Sequence, residues 1–63
     1  MDLLKRGQEV LAKTFGGVEV LRLVWEDVGD TVYLCSDSQF EALTKGWGAP
    51  MPIGFPKRDV RKK

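Results

Sequence analysis

Three runs of apolar and β-branched residues alternate with two short glycine-bearing turns along the first half of the chain. The runs cover residues 8–15, 18–26 and 31–36, and the turns read FGGV at 15–18 and DVGD at 27–30. Such runs are typical of β-strands. Two consecutive glycines suit a tight hairpin, because both central positions tolerate a positive φ. The pattern predicts an antiparallel β-meander.

The second run does not keep a single alternation of faces. Val18 and Val20 share one parity, whereas Leu21, Leu23 and Trp25 share the other. A shift of one residue turns every later side chain to the opposite face of a sheet. The slip therefore predicts a β-bulge near residues 20–21. The third run has apolar side chains on both faces, which predicts a central strand.

Residues 37–45 carry the best helix signal. Ser36 with Gln39, or Ser38 with Glu41, makes a capping box at its start, and a glycine follows its end. These features predict a short α-helix.

The two ends of the chain predict short elements. Asp2 is expected to cap a helical turn over residues 3–6, and residues 53–55 are expected to form a closing strand. A proline-initiated helical turn is expected at 57–60, followed by a frayed basic tail at 61–63.

The expected core collects the apolar positions assigned to inward faces. They are Val10, Ala12, Val20, Leu23, Val32, Leu34, Phe40, Leu43, Ile53, Phe55 and Val60.

The segment 55–60, FPKRDV, resembles the end of SH3 domains, which run Phe or Ile, Pro, two residues, Tyr and Val. Phe55, Pro56 and Val60 match that pattern, and Asp59 stands where the family has its ligand-binding Tyr. With the bulged meander, the resemblance implies an SH3-like or partly open small β-barrel of four to five antiparallel strands. The helix is foreign to typical SH3 domains, and with Asp59 it argues against proline-rich ligands.

Size and composition narrow the functional classes. The 63 residues carry a formal net charge of +1, with one cysteine and no histidine. This length predicts a single domain over 1–63, and the charge balance gives no general argument for nucleic acid. An intrachain disulfide is excluded and a structural zinc is disfavoured. Without a membrane-length apolar run or a signal-peptide pattern, the expectation is a cytoplasmic protein with no membrane association and no cofactor.

No arrangement of residues points to catalysis. Cys35 lies in an apolar strand and reads as a core residue, since a nucleophilic thiolate needs a base beside it. Glu26, Asp27, Asp30 and Asp37 lack the spacing of a calcium loop and read as residues of solvated turns. The chain is therefore expected not to be an enzyme.

Two groups of residues are candidates for partner binding. The first is Trp47 and Met51 in a loop rich in glycine and proline, with Tyr33 on the third strand. Trp and Met are favoured at interface centres, although Trp47 could equally close one end of a barrel as a plug. The second group holds the cations that could contact phosphates or an acidic surface: Lys57, Arg58, Arg61, Lys62 and Lys63.

The leading interpretation is a non-catalytic binding or adaptor module that recognises a protein. Two alternatives stay open. One is a small nucleic-acid-binding domain that uses the basic C-terminus, and the other is a self-associating structural protein in which Trp47 contacts a second copy.

Overall fold

The structure, a computed structural model, describes residues 3–63. Its five strands form one antiparallel sheet in the order β4-β3-β2-β1-β5. The elements in chain order are β1 (Glu9–Lys13), β2 (Glu19–Asp27), β3 (Thr31–Cys35), α1 (Asp37–Lys45), β4 (Ile53–Pro56), a 3₁₀ turn (Lys57–Asp59) and β5 (Val60–Lys62). The predicted mainly β fold with one short helix at 37–45 is confirmed. Strand β3 lies inside the sheet, between β2 and β4, but it is not covered on both faces, because Tyr33 is 37% exposed.

Strand β2 is shared between two neighbours. Its first half pairs with β1 and its second half pairs with β3. The β-bulge lies between Val24 and Glu26, so the prediction of a bulge near 20–21 is wrong. Val20 and Val24 share the inward face without any slip, and the bulge at Trp25 then places Asp27 opposite the buried Val32.

The core occupies the inward face of the sheet. Its buried members are Val10, Ala12, Val24, Val32 and Leu34, with Leu4, Val20, Phe55 and Val60 packed against them. Ile53 was expected among them but is 68% exposed, because it lies on the edge strand β4. Val24 is fully buried although the sequence pattern does not predict it in the core.

A second, smaller apolar cluster covers part of the other face of β2. Phe40 of α1 packs edge-on against Trp25, with the ring centroids 5.7 Å apart. Leu23, Phe40 and Leu43 are half-buried and lie outside the central core, so the prediction that they belong to it is wrong.

Helix α1 begins and ends where its sequence predicts. The Ser36 hydroxyl accepts a hydrogen bond from the Gln39 backbone N–H at 3.2 Å, and Gly46 takes the left-handed conformation at φ 73°. The Gln39 side chain does not return to Ser36 and instead donates to the Pro50 carbonyl at 2.7 Å. One of the two hydrogen bonds of the capping box therefore forms, and the Gln39 side chain instead holds the loop that contains Pro50.

The chain ends differ from their predictions. Residues 3–6 form no helix, and Gly7 N–H instead donates to the Val24 carbonyl at 2.8 Å. The expected cap at Asp2 lies outside the described residues. Arg61 and Lys62 belong to β5, not to a frayed tail, because the edge of β1 is free to pair with them.

The two edge strands are joined by only three residues. Strands β4 and β5 lie at opposite edges, and the 3₁₀ turn Lys57–Asp59 connects them. In a flat five-stranded sheet the edges would be about 19 Å apart, whereas the four Cα–Cα steps from Pro56 to Val60 span at most about 14 Å. The sheet therefore curls and brings its two edges towards each other.

Candidate functional site

A shielded carboxylate joins three parts of the chain near the curled edges. Asp27, at the end of β2, has a side chain with 0% exposure to solvent. Its Oδ2 accepts a hydrogen bond from Leu4 N–H at 2.8 Å and forms an ion pair with Lys57 Nζ. Its Oδ1 accepts from Gly29 N–H at 2.9 Å. We call these four residues the Asp27 junction.

The junction keeps its carboxylate charged. The Leu4 N–H, the Lys57 ammonium and the Gly29 N–H lower the pKa of Asp27 from 3.8 to about 2, against the opposing effect of burial. The interpretation of Asp27 as a solvated turn residue is wrong. Its bond to Gly29, two residues on, is an Asx turn, which the sequence DVG does suggest.

Beside the junction lies an open groove of about 810 Å³. Its walls come from the N-terminal segment, the β2–β3 turn, the 3₁₀ turn and β5. The lining residues are Leu4, Gly29, Asp30, Pro56, Lys57, Arg58, Val60 and Lys62. We call it the cationic groove.

The five C-terminal cations do not form one free cluster. Lys57 is paired with Asp27, and Arg61 donates to both carboxylate oxygens of Glu19, at 2.6 and 3.0 Å. These bonds from Arg61 lower the pKa of Glu19.

Lys63 Nζ also lies 3.6 Å from a carboxylate oxygen of Glu9. Arg58 and Lys62 have no carboxylate within 4.0 Å among residues 3–63. Both of these cations line the cationic groove.

The segment 46–52, which we call the Trp47 loop, is fastened at three points. Trp47 N–H donates to the Ala42 carbonyl at 2.9 Å, the Pro50 carbonyl accepts from Gln39, and Pro52 is buried. The backbone is thus held against α1 and the sheet without a regular element of its own.

The apolar side chains of this loop point to solvent. Trp47 is 66% exposed and Met51 is 78% exposed, and the exposed Ile53 follows directly. The interpretation of Trp47 as a plug is therefore wrong. The ring carries one polar neighbour, Lys45 Nζ, 4.8 Å from its centroid.

Tyr33 is distant from the Trp47 loop in sequence, but it lies on β3 beside β4, the strand that follows the loop. It pairs with Gly54 of β4 and is 37% exposed. A side chain at Gly54 would lie 3.2 Å from the Tyr33 ring, so glycine leaves room for it. The structure therefore brings Tyr33 to the strand that carries Ile53.

Cys35 is buried, as predicted, and burial raises the pKa of its thiol. Within residues 3–63 no group of three or more His, Cys, Asp or Glu is placed to hold a metal ion. The described helices include none long and apolar enough to cross a membrane.

Comparison of the chain with protein-family models, curated proteins and solved structures gave no match.

Proposed function

We propose that this chain is a non-catalytic module that recognises a protein partner through the Trp47 loop and the adjoining β4. We further propose that its curled sheet is an SH3-like small β-barrel. Pairing of β1 with β5, and a 3₁₀ turn after Pro56 between β4 and β5, support that architecture. Helix α1, inserted between β3 and β4, and Asp59 in place of Tyr separate it from proline-binding SH3 domains.

One observation carries the proposed function. Trp47, Met51 and Ile53 are all more than 60% exposed within seven consecutive positions, on backbone that is already held in place. Trp and Met are enriched where protein interfaces are fully buried. A surface whose backbone is ordered before binding loses less entropy when a partner covers it. The loop therefore has the composition and the order of a recognition surface.

Nucleic acid binding is less well supported. A phosphate backbone needs several uncommitted cations, and each of Lys57, Arg61 and Lys63 already has an acidic partner. Two cations, Arg58 and Lys62, are left without one in the described part of the chain. The protein partner is therefore preferred.

Affinity capture with matched variants tests this proposal. The immobilised baits are the wild-type chain, Trp47→Ala and Phe15→Ala. Phe15 is a fully exposed aromatic residue on the β1–β2 turn, outside the proposed surface. We expect the wild-type chain and Phe15→Ala to retain the same protein, and Trp47→Ala to lose it. Capture is expected to survive nuclease treatment and to change little between 50 and 300 mM salt, since apolar contact is weakly salt-dependent.

Other outcomes reject the proposal. Loss of capture after nuclease treatment, or a steep fall with salt, would identify nucleic acid as the ligand. Retention of the same protein by Trp47→Ala would remove the loop from recognition. Sedimentation of the three chains at two concentrations covers the remaining alternative, because a dimer that only Trp47→Ala dissociates indicates self-association.

A further inference from the structure

The cationic groove combines an apolar floor with two cations that have no carboxylate within 4.0 Å among residues 3–63. Leu4 and Val60 pack against the core, and Pro56 adds a rigid apolar wall. Arg58 and Lys62 line the same groove. We infer that this groove binds an extended peptide segment in which carboxylates flank an apolar side chain.

Charge complementarity selects an acidic occupant. Arg58 and Lys62 belong to the 3₁₀ turn and β5, and neither has a carboxylate within 4.0 Å among residues 3–63. The acidic lining residue, Asp30, belongs to the β2–β3 turn. Arg58 and Lys62 therefore make this side of the groove positive, because Asp59 of the same 3₁₀ turn lines a neighbouring hollow and not the groove. Carboxylates of a ligand compensate that charge, whereas a basic segment is repelled.

The strand beside the groove favours an extended occupant over a helix. β5 is an edge strand that pairs with β1 on one side only. Val60 and Lys62 are two residues apart on it, so they present an apolar and a charged side chain to the same face. An extended segment with alternating apolar and acidic residues matches this spacing and leaves its backbone available to the free edge.

The Asp27 junction forms the groove before any ligand arrives. Its carboxylate bonds to Leu4, Gly29 and Lys57, and each of these residues lines a different wall. Three walls are therefore held by one buried group. Binding at such a site does not require loops to be ordered first.

Titration of the ¹⁵N-labelled full chain with three blocked pentapeptides tests the inference. The acidic probe has the sequence GELEG. A second probe replaces both glutamates by glutamine, and a third replaces the leucine by alanine. We expect the acidic probe to shift the backbone amides of Gly29, Asp30 and Lys62, and the other two probes to bind about fivefold more weakly.

Charge-matched variants connect the binding to the groove. The double variant Arg58→Gln/Lys62→Gln should weaken the acidic probe about tenfold. Arg22→Gln removes a cation that does not line the groove and should leave the affinity within about twofold. Trp47→Ala should also have no effect. If Trp47→Ala still captures the partner, the proposed function fails but this inference is unaffected. If the acidic probe does not bind the groove, this inference fails but the proposed function is unaffected.

Several results overturn the inference. Equal affinity for the acidic and glutamine probes would show that the groove does not recognise carboxylates. Equal affinity for the leucine and alanine probes would show that it does not recognise an apolar side chain. Saturating shifts at the same amides from inorganic sulfate alone indicate an anion site without peptide selectivity. Stronger binding of a single-stranded oligonucleotide in the same groove assigns the surface to nucleic acid.

Discussion

The Asp27 junction and the Trp47 loop differ in the exposure of their main side chains to solvent. At the junction a carboxylate is shielded from water and is compensated by two backbone N–H groups and an ammonium. In the loop an indole is left 66% exposed although the backbone beneath it is fixed. The charged group is thus buried and the large apolar group is exposed, which is the reverse of the usual arrangement.

The two regions have different roles in this small domain: the junction holds segments together, and the loop presents an exposed surface. A domain of this size has a thin apolar core, so a compensated buried charge can contribute to joining its parts. The Asp27 carboxylate connects positions separated by 23 and 30 residues in sequence. Within residues 3–63 the polar contacts of Trp47 are local in sequence: its N–H bonds to the Ala42 carbonyl, and Lys45 Nζ lies 4.8 Å from its ring centroid. Its exposed ring is accessible to a partner.

Asp27→Asn should have the largest effect on stability. The variant keeps the shape of the side chain but leaves Lys57 without a counter-charge and weakens the bonds from Leu4 and Gly29. We expect the free energy of unfolding to fall by about 2–4 kcal/mol, much of the total for a domain of this size. Urea denaturation measures this. Asp30→Asn, an exposed neighbour in the same turn, is the control and should stay within about 0.5 kcal/mol. Equal stability of the two variants would contradict the role of the junction.

Lowering the pH should reversibly remove the contribution of the Asp27 carboxylate to the free energy of unfolding. The pKa of Asp27 is lowered from 3.8 to about 2, so the folded state binds this proton less readily than the unfolded state. The stability from Asp27 is therefore complete above about pH 4 and declines as the pH falls towards 2. Urea midpoints between pH 2 and 6 should fall more in the wild-type chain than in Asp27→Asn. Parallel curves for the two chains would refute the assignment.

Trp25→Ala should have an intermediate effect. Trp25 packs edge-on against Phe40, and the Arg6 guanidinium lies 4.3 Å from its ring centroid. Because Trp25 is half-buried, we expect a loss of about 2 kcal/mol, below the cost of truncating a fully buried aromatic residue. Thermal unfolding measures it, and Phe15→Ala serves as the exposed aromatic control. A stability like that of the control would mean that α1 packs on β2 without this ring.

Local signals in the sequence predicted the local parts of the fold. The glycine at 46 and the serine at 36 fix the ends of α1 through bonds to residues within four positions, and both were predicted. The bulge was misplaced because the apolar parity of Leu21 and Leu23 suggested a core face. Helix α1 covers only part of that face, where Phe40 packs on Trp25, and Leu21 stays 42% exposed.

The candidate sites were less predictable for the same reason. Asp27 begins the turn sequence DVGD, which is typical of exposed turns, and its burial depends on Leu4 and Lys57, which are remote in sequence. The loop composition around Trp47 suits a plug and an exposed surface equally well. The bonds from Trp47 to Ala42 and from Gln39 to Pro50, with the burial of Pro52, hold the loop with that ring exposed, and the loop composition does not predict them.

The most direct test of the account is the affinity of the captured partner, once purified, for wild-type chain and Trp47→Ala. The variant must first unfold within about 0.5 kcal/mol of the wild-type chain, as expected for an exposed side chain. We then predict that it binds the partner at least about tenfold more weakly, the loss typical of an interface hot spot. Unchanged affinity in a normally stable Trp47→Ala would contradict the proposal that this loop is the recognition surface.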